Sequence, residues 1–151
     1  MHITLQSIAT THNTRIEAID DNWAGIITEI TLEPHIPTEA FEGIEAFSHL
    51  EIIFYFDKVE DSKIVFSGHP RGNPDYPVMG IFSQRKKDRP NKIGLTTATL
   101  LAHNERTIIV KGLDAIDGTP VLDIKPVFKE FRPAKDILQP EWVSDLMKNY
   151  W

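Results

Sequence analysis

Apolar residues recur along the chain mostly at every second position. The runs are short and are separated by proline, glycine and polar turns, which is the pattern of half-buried strands. Ile3, Leu5 and Ile8 predict a first strand, with the alternation slipping by one residue before Ile8, and Thr10-Thr-His-Asn13 reads as a turn. Between Asn22 and Leu32, the residues Ala24, Ile26, Ile30 and Leu32 share one face with Thr28, in a strand that Pro34 and Pro37 end. Thr38 is placed to cap a short helical turn reaching Gly43. Leu50–Phe56 is a near-continuous β-branched and aromatic run, predicting a central strand covered on both faces. Further strands are expected at Ile64–Phe66, Val78–Ser83, Leu95–Ala102 and Thr107–Lys111. Asp117-Gly118 marks a turn before a last strand carrying Val121, Ile124 and Val127.

About seven short strands with little helix between them predict an all-β fold, a barrel or a sandwich, occupying residues 1–128 as one domain. Residues 129–151 have a different pattern. A short connector, Phe128 to Gln139, leads to Pro140, which suits the first position of a helix, and Trp142, Leu146 and Tyr150 follow at four-residue spacing. This short amphipathic C-terminal helix is expected to dock on the β-domain or on a partner.

Composition narrows the chemistry. A chain of 151 residues, 41% hydrophobic and 25% charged, is an ordinary globular domain. It contains no cysteine, which excludes disulfides and thiolate metal sites and suits a cytoplasmic setting. The start, Met1-His-Ile-Thr-Leu-Gln6, lacks the basic then apolar pattern of a signal peptide, and Leu50–Phe56 is too short to cross a membrane, so no membrane association is expected. The histidines show no metal-ligand spacing, no phosphate-loop or dinucleotide glycine pattern is present, and no Gly-x-Ser-x-Gly elbow occurs, so no metal is expected. His49, beside the central strand, reads as a hydrogen-bonded structural residue.

Two clusters remain. The formal charge of the chain is −6, yet Arg85, Lys86, Lys87, Arg89 and Lys92 place five cations within eight residues. Pro70, Pro74, Pro77 and Pro90 stiffen this region, and Gly72, Gly80 and Gly94 allow sharp turns or close approach of a ligand. Composition alone gives a solvated charged loop; its concentration on an acidic protein points to a local anion site. The second cluster, Gly112 to Pro126, carries Asp114, Asp117, Asp123 and Lys125. Asp117 suits a turn, Asp123 and Lys125 share a strand face and can pair, and Asp114 can hold the basic loop by an ion pair.

Taken together, Phe47-Ser-His-Leu50, His69-Pro-Arg-Gly-Asn-Pro74, Gly80-Ile-Phe82, Arg85 with Arg89-Pro-Asn-Lys-Ile-Gly-Leu95, and Leu113 to Pro126 resemble the TrmO/TsaA family, over about Ile3 to Val127. These are tRNA adenosine N6-methyltransferases that use S-adenosylmethionine. The resemblance implies a single-domain β-barrel acting as a homodimer on threonylcarbamoyl-adenosine, 3′ of the anticodon of a threonine tRNA. Two departures bear on the substrate. Arg85-Lys86-Lys87 replaces a small-residue run, and Lys92 replaces a proline. The chain stops soon after the barrel, so an appended C-terminal RNA-contacting domain is expected to be absent.

Within that resemblance, Arg85 or Arg89 would grip the cofactor carboxylate. Backbone at Pro90, Asn91, Ile93, Gly94 and Leu95 would approach the adenine and ribose, Phe82 would pack on the adenine, and Asp114, Asp117 or Asp123 would accept from its amino or hydroxyl groups. An aspartate, Asp117 first, would take the proton from the target nitrogen. Arg71, Lys86, Lys87 and Lys125 would contact RNA phosphate or the substrate's carboxylate. Two other readings stay open: a barrel that binds S-adenosylmethionine or RNA without chemistry, and a methyltransferase acting on another substrate.

Overall fold

The computed structural model describes residues 1–151. Eight strands form in chain order: β1 (Ala9–His12), β2 (Ile27–Leu32), β3 (His49–Tyr55), β4 (Ser67–Gly68), β5 (Met79–Gly80), β6 (Ile93–Asn104), β7 (Thr107–Lys111) and β8 (Pro120–Pro126). Six of them close into a barrel of order β1-β2-β7-β6-β3-β8, and β4 and β5 pair as a separate ribbon. Every pairing is antiparallel. Closure removes open sheet edges and leaves an interior that alternate side chains must fill.

Alternation decides which side chains those are. Thr28, Ile30 and Leu32 of β2, Leu50, Ile52 and Phe54 of β3, Thr96 and Ala98 of β6, and Ile108 and Val110 of β7 are buried, and Val121 of β8 joins them. Phe54 faces Gly94 across the β3–β6 pair, and a Cβ at Gly94 would lie 2.4 Å from the Phe54 ring. Gly94 is therefore required for packing: its missing side chain makes room for an aromatic ring in the interior.

Several expectations are corrected. Residues 1–8 are not a strand, and Ile3 and Leu5 are exposed. The strand is instead Ala9–His12, through the residues read as a turn. Its polar Thr11 is fully buried and satisfied, since its hydroxyl donates to the Ile116 carbonyl at 2.8 Å and accepts from the Thr119 amide at 2.9 Å. β2 begins at Ile27, five residues after Asn22, because Ala24-Gly25 turn, with the Ile26 amide on the Trp23 carbonyl at 3.0 Å. Thr38 opens a 3₁₀ turn ending at Phe41, but Pro37 is the cap residue and no side chain caps it. β3 has one buried and one half-buried face, since Glu51, Ile53 and Tyr55 point outward. Ile64–Phe66 is not a strand, and of Val78–Ser83 only Met79 and Gly80 are, followed by a 3₁₀ turn. Around the short ribbon, the Val65 and Ile81 amides donate to the Asp88 and Phe66 carbonyls at 3.1 and 2.9 Å, and buried Gln84 donates to the Gly68 and Met79 carbonyls at 3.0 and 2.8 Å.

The last strand is followed by an exposed stretch through Gln139 and then by α1 (Glu141–Leu146), capped by Pro140 rather than containing it. α1 buries no residue fully, yet its end is fastened to the same chain. The Asn22 and Trp23 amides donate to the Asn149 and Tyr150 carbonyls at 2.9 and 2.8 Å, and the Tyr76 hydroxyl donates to Asp145 at 2.6 Å.

Candidate functional site

The basic segment emerges from the β5 ribbon and feeds β6. Most of its cations have intramolecular partners. Arg89 Nη1 donates to the Gln84 carbonyl at 2.9 Å, and Lys86 pairs with Asp88 at 3.3 Å. Lys92 lies 2.5 Å from Asp61 and donates to the Val59 carbonyl at 2.7 Å; the Asp61 hydrogen bond raises its pKa above the ordinary lysine value. Lys87 has no partner and is exposed. Asn91 and Lys92 both adopt left-handed backbone, φ 64° and 51°, so the chain turns sharply into β6 despite the missing proline. Arg85 is exposed and donates to the Leu95 carbonyl.

That contact places Arg85 beside the first turnings of β6, where outward Ile93 and Leu95 alternate with inward Gly94 and Thr96. Thr96 donates its hydroxyl to one oxygen of Asp114, which sits just after β7. The other oxygen of Asp114 accepts from the Tyr150 hydroxyl, delivered by the C-terminal segment. Burial, then the Asp114 charge, push the Tyr150 phenol far above its ordinary value, while the Arg85 and Arg71 charges oppose that rise. Arg71 lies 5.9 Å from the Tyr150 ring centre.

Asp114 has no cation within ion-pair distance. The expectation that it ties down the basic loop electrostatically is corrected: two neutral hydroxyls hold it. Neighbouring acids differ. Asp21 is 2.8 Å from Arg71 Nη2 and Asp20 is 3.8 Å from its Nε. Arg71 itself is held in left-handed backbone at φ 51°.

The remaining expected residues lie apart from this group. Asp117 accepts the Asn13 amide at 3.1 Å and lies 3.7 Å from His12, at the turn leading to β8, with no bond to the basic segment. Asp123 pairs with Lys125 at 2.7 Å, as their spacing predicts, and this hydrogen bond raises the Lys125 pKa. Asp123 also lines an apolar cavity of 410 Å³ with Ile36, Phe41, Ile44 and Phe47. Asn91 and Ile93 line a second hollow of 630 Å³ with Tyr55, Leu122 and the N-terminal Met1 and Ile3. Neither is lined by Arg85 or Asp114. Pro90 is half-buried, and Phe82 is 81% exposed beside Ser83, free to cover a ligand. Thr96, Tyr150 and Asp21 were not expected at the site. Nothing local marks them, because Tyr150 reads as one more apolar position on a helix face.

Comparison with known proteins agrees with this architecture. Residues 13–132 match the tRNA-methyltransferase O N-terminal domain. A human tRNA (adenine(37)-N6)-methyltransferase is 38% identical over 122 residues, covering 75% of this chain and 25% of the relative. A probable S-adenosyl-L-methionine-binding protein of Archaeoglobus fulgidus is 39% identical over 106 residues, covering 68% of this chain and 28% of the relative. The crystal structure of TrmO from Pseudomonas aeruginosa superposes with a TM-score of 0.75 at 25% identity, over 91% of this chain and 61% of that one. The chain therefore spans about a quarter of the length of these two sequence relatives. With the family match covering five of the six barrel strands, all but β1, the chain belongs to the family of the tRNA-methyltransferase O N-terminal domain.

Proposed function

We propose that this protein transfers a methyl group from S-adenosylmethionine to N6 of an adenine in tRNA, with the threonylcarbamoyl-adenosine beside the anticodon as its target. Family membership and the names of the relatives support the reaction class. One observation of this chain carries it: Asp114 is held by two neutral hydroxyls and by no cation, while Arg85 bonds the Leu95 carbonyl one residue from Thr96 and Arg71 lies 5.9 Å from the Tyr150 ring centre. The amino-acid end of S-adenosylmethionine is a zwitterion, and its carboxylate and ammonium need a cation and an anion that are not already paired to each other. Arg85 uses one donor on the Leu95 carbonyl and, as an arginine, has others left for a carboxylate. Asp114 retains a second lone pair on each oxygen. Phe82, Ile93 and Leu95 offer exposed apolar surface nearby in sequence for an adenine. The donor set fits the group.

When bound, the sulfonium supplies an activated methyl with a neutral thioether as leaving group. The chain's own residues have three tasks. Arg85 and Asp114 orient the amino-acid end; the apolar positions of the loop and β6 exclude water; and a carboxylate removes the N6 proton, because the substituted nitrogen is a weak nucleophile while protonated. Asp114 is preferred to Asp117 for contact with the cofactor, since Asp117 is engaged with the Asn13 amide and His12. Asp117 remains the proposed proton acceptor only if the RNA approaches from the β1–β8 side. Lys87, with Arg71, Lys86 and Lys125 once released from their acids, would bind phosphate.

We place the protein in the cytoplasm, where its tRNA would be, and assign it a homodimeric state. Support for a dimer comes from exposed apolar side chains in the connector, Phe131, Ile137 and Leu138, which a second copy would cover. Light scattering tests this, and a monomer at all concentrations rejects it. The reaction is tested by incubating purified protein with S-adenosylmethionine and tRNA and measuring nucleosides by mass spectrometry. The expected product is an N6-methylated threonylcarbamoyl-adenosine. Methyl on another base rejects the target; tight binding of S-adenosylhomocysteine without any methylated nucleoside supports a binding module instead.

A further inference from the structure

Resting on the reading that Asp114 faces the cofactor, we propose that Tyr150 is a positioning residue: with Thr96, it fixes Asp114 as a charged acceptor aimed at a cationic group of the ligand. The two hydroxyls approach from different parts of the chain and take one oxygen each, Thr96 from β6 and Tyr150 from beyond α1. A carboxylate tethered through one oxygen still turns about its Cβ–Cγ bond. A donor on the second oxygen stops that rotation and sets the plane in which the free lone pairs point. Both donors are neutral, so Asp114 is oriented without losing its charge to a salt bridge, unlike Asp21, Asp61, Asp88 and Asp123, which each pair with a cation.

Tyrosine suits the task because the phenol remains a donor. Burial and the adjacent carboxylate both oppose its ionisation. α1 buries no residue fully, with Trp142, Val143 and Leu146 only half-buried. Polar clasps hold it: the Asn22 and Trp23 amides on the Asn149 and Tyr150 carbonyls, and the Tyr76 hydroxyl on Asp145. The ring of Tyr76 also lies 6.0 Å from that of Trp142. Arg71, paired with Asp21 beside Asn22, approaches the Tyr150 ring. The C-terminal segment thus joins the Arg71 loop to the Asp114 carboxylate.

Calorimetric titration with S-adenosylhomocysteine tests this on the whole chain. Tyr150→Phe, which keeps the ring and removes only the hydroxyl, is expected to weaken binding about tenfold, as for a hydrogen bond to a charged group. Added to Asp114→Asn, it is expected to weaken binding by no more than about twofold further, because both changes act on one carboxylate. Tyr76→Phe loosens the segment without touching Asp114 and is expected to leave affinity within about twofold. Full additivity of Tyr150→Phe and Asp114→Asn, unchanged affinity in Tyr150→Phe, or an equal loss in Tyr76→Phe overturns the role of Tyr150. If the unaltered protein fails to bind, or Asp114→Asn binds as well as it does, the reading of Asp114 itself falls.

Discussion

Asp114 and Asp117 lie three residues apart on the connection between β7 and β8, and their carboxylates end in opposite circumstances. Asp114 is half-buried and held by two side-chain hydroxyls from distant parts of the chain. Asp117 is exposed, takes a backbone amide from the end of β1 and stands beside His12 at a turn. The difference teaches how a fold separates a working charge from a structural one. An aspartate that satisfies backbone amides at a turn stabilises the turn. An aspartate oriented by neutral donors, with no cation in ion-pair contact, keeps its charge for a ligand.

The contrast can be broken most directly by neutralising each aspartate in turn. Asp114→Asn should weaken S-adenosylhomocysteine binding by about 10- to 100-fold, and Asp117→Asn by less than about twofold. Equal losses, read by calorimetry, would erase the distinction. Packing beneath the site comes next. Gly94→Ala puts a Cβ 2.4 Å from the Phe54 ring, and overpacking of this kind should cost about 1–3 kcal/mol in urea unfolding. A neutral or stabilising result would mean that Phe54 can move aside and that Gly94 serves the ligand rather than the core. Asp117→Ala should cost about 1 kcal/mol of stability through the lost bond to the Asn13 amide, with ligand affinity unchanged.

Smaller effects sharpen the same point. Lys87→Ala should flatten the salt dependence of tRNA binding by about 0.7–0.9 in log–log slope, because Lys87 has no intramolecular acid. Lys86→Ala should change it less, since Asp88 already neutralises Lys86. Equal slopes would show that the Lys86–Asp88 pair opens on binding. The least effect is at alkaline pH. The folded Tyr150 phenol titrates above its ordinary value of 10.0, so its contribution to stability is whole below that pH and shrinks as pH rises past it, when the unfolded phenol ionises and the folded one does not. Tyr150→Phe should remove that part of the alkaline loss, as measured by unfolding on either side of pH about 10.

Much of the barrel was legible because its signals are local. Thr107–Lys111 was read to the residue: Ile108 and Val110 alternate with polar or opposite-facing neighbours, and the strand ends where the pattern does. The β3, β6 and β8 runs were found for the same reason, with boundaries shifted by a few residues. β1 was missed because its inward Thr11 is polar. Only the Ile116 carbonyl and Thr119 amide, more than a hundred residues away, make burial of that hydroxyl acceptable. The segments around β4 and β5 were overread as strands because Phe66, Val78 and Phe82 are exposed and the ladder is only two residues long, with the Gln84 side chain bonding the Gly68 and Met79 carbonyls.

By itself the sequence determined an all-β chain with a cationic loop, an aspartate-bearing corner and a short amphipathic tail helix, since alternation, turn residues and charge density are properties of neighbours. Its motifs also carried the family. Which acid stays unneutralised was decided only by the tertiary structure. A charge is available or engaged according to what surrounds it in space, and Asp114 owes its circumstances to Thr96 on another strand and to Tyr150, which is 36 residues further along the chain.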